Sequence, residues 1–139
     1  ASSYFDVFVQ TDSEDAFLAE NSAQLRALYS SIDAQAVEEY LGVLGSKEAL
    51  GAALNWYRAN MMDRNLLGPP IGSVKIPTLF VWGDQDAALC KDGAFLTEEY
   101  IDGPYRFEVF RGVGHWVPEL ASNELDSVLI DHLKMYSER

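Results

Sequence analysis

A single cysteine, Cys90, stands in a chain of 139 residues. One thiol cannot close an internal disulfide, so the fold has no covalent staple and nothing points to an oxidising compartment. No apolar run reaches the roughly 18 to 20 residues needed to cross a bilayer. The start Ala1-Ser2-Ser3-Tyr4 also lacks the basic and apolar regions of a secretion signal. A cytoplasmic location is the expectation. Positive charge is scarce: 10 Lys and Arg against 22 Asp and Glu leave a net charge of -12. That balance excludes nucleic acid and anionic membrane surfaces as partners, because both require a positive field. No metal and no cofactor are expected. What remains is ordinary globular material, 48% apolar, 12% aromatic and 23% charged, enough to bury a core and too apolar to stay disordered.

The chain divides by pattern. Over 12–62 the reading is helical, with Phe17, Leu18, Leu25, Leu28, Tyr29 and Ile32 recurring at spacings of three and four. Ala36, Val37, Tyr40 and Leu41 form a second stripe. Ser46 is placed to cap a third helix that carries Leu50, Ala53, Leu54, Tyr57 and Met61 on one face. Gly68-Pro69-Pro70-Ile71-Gly72 cannot continue a helix and marks a connection. Two regions follow, 1–67 and 68–139.

Beyond the connection, strand and helix alternate. Ile76-Pro77-Thr78-Leu79-Phe80-Val81-Trp82 reads as a strand apolar on both faces, ended by Gly83. Residues 93–100 can form a short helix, and Tyr105-Arg106-Phe107-Glu108-Val109-Phe110 a second strand. Ser122 is expected to cap a last helix with Leu125, Val128, Leu129, Leu133 and Tyr136 along one side. The order implies an α/β fold, a parallel sheet with right-handed crossovers. Two such strands are too few to cover their own apolar faces, so neighbouring strands and helices are expected from a further segment.

Two residues at strand ends could carry chemistry. Asp86, in Gly83-Asp84-Gln85-Asp86, can accept the Nδ1 proton of a histidine and fix its tautomer. The same sequence is also ordinary turn chemistry, and Asp84 is the rival acid. His115 lies in Gly112-Val113-Gly114-His115-Trp116, where glycines let the backbone turn sharply and leave the imidazole free to point along the sheet edge. An acid and then a histidine, each following a strand, form a conjunction that neither residue makes alone. The other histidine, His132, falls near the polar side of the last helix and is expected to be solvated. The aromatics Phe8, Trp56, Trp82 and Trp116 suggest an apolar pocket for a neutral hydrophobic molecule, or simply core.

On these residues the chain resembles the α/β-hydrolase superfamily, over nearly its whole length. The run from Ile76 to Asp86 is similar to the strand that leads to the family's catalytic acid, and the match falls on Asp86. Gly114-His115-Trp116 is similar to the segment with its catalytic histidine. The resemblance implies the C-terminal part of that fold, with 1–67 as a helical cap and 68–139 as core. Leu54-Asn55-Trp56-Tyr57-Arg58 resembles the cap segment of soluble epoxide hydrolases, in which a tyrosine donates a hydrogen bond to the epoxide oxygen. By resemblance Tyr57 takes that role; its own pattern equally allows a buried stripe aromatic. A second cap tyrosine of those enzymes aligns with Phe5, Tyr4 being one residue away. Phe5, Phe8, Trp56 and Trp116 are the expected pocket residues.

No Gly-x-Ser-x-Gly, Gly-x-Asp-x-Gly or Gly-x-Cys-x-Gly precedes Asp86. The nucleophile is therefore expected on a complementary N-terminal segment. With an aspartate there, the resemblance implies epoxide opening or dehalogenation; with a serine, ester or lactone hydrolysis. A third reading is a non-catalytic binding module.

Overall fold

The computed structural model describes residues 4–61 and 72–137. They form two units, one from each stretch. All of the expected connection at 68–72 but Gly72, and the boundary between 67 and 68, lie outside the described residues.

The first unit is helical: α1 (Tyr4–Phe8), α2 (Ser13–Leu28), α3 (Ala34–Leu44) and α4 (Lys47–Met61). Local chemistry sets the starts. Asp33 accepts from the Gln35 N–H at 2.8 Å and opens α3; Ser46 accepts from the Ala49 N–H at 3.1 Å and opens α4, as its position suggested. Phe17, Leu25, Tyr29, Val37, Leu50 and Leu54 make the core.

Two expected stripes are redrawn. Within α2, Ala19 is extended, and Glu20, Asn21 and Ser22 have φ of 51°, 57° and 60°. That left-handed break resets the helical phase, so Phe17, Leu25 and Tyr29 are buried while Leu28 turns outward. In α4, Leu50 and Leu54 are buried but Ala53 is exposed. Gly51 takes its place on the inner face, for a reason that concerns Glu14 below.

The second unit holds β1 (Thr78–Gly83), α5 (Lys91–Leu96), a 3₁₀ turn (Thr97–Tyr100), β2 (Tyr105–Phe110), α6 (Val117–Leu120) and α7 (Ser122–Tyr136). β1 and β2 pair in parallel with Thr78 opposite Tyr105 and Gly83 opposite Phe110. Parallel neighbours need a crossover, which α5 and the 3₁₀ turn supply. Phe80 and Phe107, opposite each other, stack at 5.3 Å between ring centroids. Only Trp82 and Gly83 of β1 are buried, the rest half-buried, because two strands give each other one neighbour apiece. Ser122 begins α7 and does not cap it, since α6 precedes. Leu129 and Leu133 of the expected apolar side are exposed. His132 is half-buried, its ring 5.1 Å from that of Tyr136. Among the described residues, no helix is long and apolar enough to cross a membrane.

Candidate active site

Parallel pairing sends the loops after β1 and β2 out of the same end of the sheet. They are then tied together. The Asp84 N–H donates to the Phe110 carbonyl at 3.1 Å and the Gln85 N–H to the Val113 carbonyl at 2.9 Å. The Asp84 carboxylate accepts from the Gly112 N–H at 2.7 Å. Gly112 itself takes a φ of 74°, open to glycine at little cost. Where the loops cross, a side chain on Gly83 would bring its Cβ to 2.3 Å from the Val113 carbonyl oxygen, so only glycine permits the approach.

Asp86 closes a turn with its N–H on the Gly83 carbonyl at 3.1 Å. Its Oδ1 accepts from the Ala88 and Leu89 N–H groups, each at 2.8 Å. The imidazole of His115 completes the set: Nδ1 lies 3.0 Å from Oδ2 and 3.1 Å from Oδ1. Burial pushes the Asp86 carboxyl up, but the Leu89 N–H, the His115 ring and the Ala88 N–H together outweigh it and hold the group below the usual carboxylate value. An anionic Asp86 requires the proton on Nδ1, which leaves the Nε2 lone pair as the reactive edge of the ring. The side chains differ in access, with Asp86 4% and His115 39% exposed. The carboxylate is sheltered while the imidazole is in part open to solvent.

Beside the pair is a cavity of about 260 Å³ whose walls include Phe80, Trp82, Leu89, Val117 and Leu125, with Asp86 and His115 at its polar side. Trp82 is one of the aromatics that the sequence marks for an apolar pocket; Phe80, Leu89, Val117 and Leu125 carry no such signal and come to the cavity from β1, the turn after it, α6 and α7. Trp116 is not among the lining residues. It stands edge-on to His115, ring centroids 5.1 Å apart, because α6 starts at the next residue and turns Val117 to the cavity. Trp82 donates its Nε1–H to the Leu89 carbonyl at 3.3 Å, bracing the turn that holds Asp86.

Tyr57, Phe5, Phe8 and Trp56 belong to the helical unit and come together there. The Tyr57 ring lies 4.9 Å from Phe8, 5.0 Å from Trp56 and 5.8 Å from Phe5. Tyr4 packs on Phe5 and Phe8 at 4.4 and 5.3 Å. Tyr57 is half-buried and Trp56 59% exposed, so the cluster has an open side. Among the described residues, no group of three or more His, Cys, Asp and Glu could hold a metal.

The chain is similar to known proteins. Epoxide hydrolase 3 of Xenopus tropicalis is 33% identical over 103 residues, covering 70% of this chain and 26% of that protein. Epoxide hydrolase A of Mycobacterium tuberculosis is 30% identical over 108 residues, 73% of this chain and 32% of that one. A solved structure from work on epoxide hydrolases of the α/β-hydrolase superfamily in hot-environment metagenomes matches with a TM-score of 0.74. It covers 95% of this chain and 50% of that one at 24% identity, a likeness of fold. No family model matches. The chain spans about a quarter to a third of the curated relatives it matches.

Proposed function

Starting from a chain of α/β-hydrolase fold, similar to the C-terminal part of epoxide hydrolases, we propose that it supplies the acid, the base and the cap of an enzyme that hydrolyses a small hydrophobic epoxide. The observation that carries the proposal is the imidazole of His115 held through Nδ1 by the buried Asp86 carboxylate while its side chain stays 39% exposed. Residues 1–67 act as the cap and 68–139 as part of the core. A complementary N-terminal segment provides the nucleophile, which in this reading is a carboxylate.

The reaction runs in two steps. A carboxylate oxygen attacks an epoxide carbon, a C–O bond forms and the ring C–O bond breaks, its electron pair passing to the oxygen. Tyr57 donates its O–H to that oxygen, stabilising the charge as it develops. Water then attacks the ester carbonyl while His115 Nε2 removes its proton and Asp86 stabilises the resulting imidazolium. The ester C–O bond on the acyl side breaks and the carboxylate is restored; the diol leaves with both protons of the water, one on each of its oxygens, as the His115 imidazolium gives its proton back.

The test separates these steps. In the enzyme assembled with its nucleophile segment, His115→Ala is expected to abolish turnover and accumulate the alkyl-enzyme ester, visible as an added mass, since alkylation does not need the base. Unimpaired turnover would remove His115 from the site. Tyr57→Phe is expected to lose epoxide turnover with no matching loss on esters; equal loss on both would favour the esterase reading.

A further inference from the structure

Arg58, the residue after Tyr57 on α4, bonds to α2, to the turn that follows α1 and to its own helix. Its Nη1 donates to Glu14 Oε1 at 2.7 Å and its Nη2 to Glu14 Oε2 at 2.8 Å. Nη2 also donates to the Gln10 carbonyl at 2.7 Å, and Nη1 to Asn55 Oδ1 at 3.0 Å. The guanidinium thus meets the carboxylate end-on through both terminal nitrogens. Both side chains are largely sheltered, 16% exposed for Arg58 and 7% for Glu14.

The helices are shaped around this pair. A Cβ on Gly51 would lie 2.8 Å from Glu14 Oε1, so α4 is notched where the carboxylate enters. Gln10 and Glu14 flank the corner between α1 and α2, and buried Ser13 donates to the same Gln10 carbonyl at 3.0 Å. From that corner α1 carries Phe5 and Phe8 back onto Tyr57. Apolar contacts alone tolerate sliding between helices. A two-pronged charged pair does not, because a shift of a few tenths of an ångström strains both hydrogen bonds at once.

We propose that the Glu14–Arg58 pair is a positioning device for Tyr57, locking the turn of α4 that bears the tyrosine to the α1–α2 corner that bears its aromatic neighbours. The inference rests on the reading of Tyr57 as donor to the epoxide oxygen. Its chemical content is specific: the pair sets where the Tyr57 hydroxyl stands when the ring opens and takes no part in the water step. As a mere strut for the fold it would lower the amount of active enzyme and leave the rate constants of both steps alone.

Single-turnover kinetics of the assembled enzyme distinguish the two, with styrene oxide as probe and the alkyl-enzyme followed by quenched-flow mass spectrometry. Glu14→Gln is expected to slow ester formation roughly 10- to 100-fold, the penalty of a misplaced group. Hydrolysis of the ester and the fraction of enzyme that reacts should stay unchanged. Combined with Tyr57→Phe, Glu14→Gln should add nothing further, because the hydroxyl it positions is gone. Should Glu14→Gln not fold, Gly51→Ala displaces the carboxylate by a single methyl group and reads the same rate constants. Unchanged ester formation, equal slowing of both steps, or an additive loss in the double variant would each overturn the proposal. A loss in Tyr57→Phe without one in Glu14→Gln sinks this inference alone. No loss in Tyr57→Phe sinks the reading beneath it.

Discussion

Replacing Asp86 with asparagine changes one atom, and the structure dictates which way that atom points. Oδ1 accepts from two backbone N–H groups at 2.8 Å, so an amide nitrogen there would face two donors. The amide oxygen therefore keeps that place and the NH₂ group occupies the Oδ2 position, 3.0 Å from His115 Nδ1. The new donor at 3.0 Å competes with the amide oxygen, 3.1 Å from Nδ1 and already taken up by two N–H groups, and so favours the tautomer in which Nδ1 accepts and the imidazole proton sits on Nε2. The base is then blocked with its geometry intact. Fixing the wrong tautomer in a comparable acid–histidine pair lowers kcat about 10⁴-fold, or about 5.5 kcal/mol of transition-state stabilisation. The expected result for Asp86→Asn is a loss of that order in the water step, measured as decay of the alkyl-enzyme, with ester formation retained. Nitrogen-15 shifts of the His115 ring provide a check that does not depend on turnover. A loss below tenfold, or an Nδ1–H tautomer in the variant, would refute the reasoning.

Asp84 acts at one remove. Asp84→Ala removes the acceptor of the Gly112 N–H and should loosen the loop that carries His115; faster amide exchange at Gly112 and a slower water step, by roughly tenfold, are expected, from the cost of a displaced group. In the helical unit the Arg58 hydrogen bond and the Glu14 N–H hold the Glu14 carboxyl down to about 2 from its ordinary 4.5. A lowered folded value stabilises above the unfolded one, so this contribution, up to about 3 kcal/mol, is complete above pH 4.5 and drains away as pH falls towards 2. A carboxyl titration followed by NMR in which Glu14 protonates near 4.5 would contradict the buried pair.

Much of the fold can be read from residue order, and the exceptions have physical causes. β2 runs from Tyr105 to Phe110 as its apolar pattern indicates, and β1 begins two residues after Ile76, past Pro77, which cannot donate to a ladder. The approach of Asp86 to His115 follows from two parallel strands ending side by side. The break in α2 is invisible, because Ala19-Glu20-Asn21-Ser22 contains no glycine or proline to announce it. The Glu14–Arg58 pair is equally hidden. Charged residues read as solvated surface, and nothing local links positions 44 apart in the chain. Trp116 next to His115 reads as a pocket wall, whereas the start of α6 gives that place to Val117.

Asp86 and His115 are 29 residues apart, and every bond that ties their loops lies between β1 and the end of the β2 loop. The carboxylate and imidazole are thus brought together within one strand–crossover–strand element, a contact of modest sequence separation whose closure costs less loop entropy than a longer-range pairing would. In the proposed reading, a segment bearing the nucleophile would meet an imidazole already oriented. Association would then have to order the nucleophile alone, and the entropy of aligning acid with base would already be spent in folding the strands.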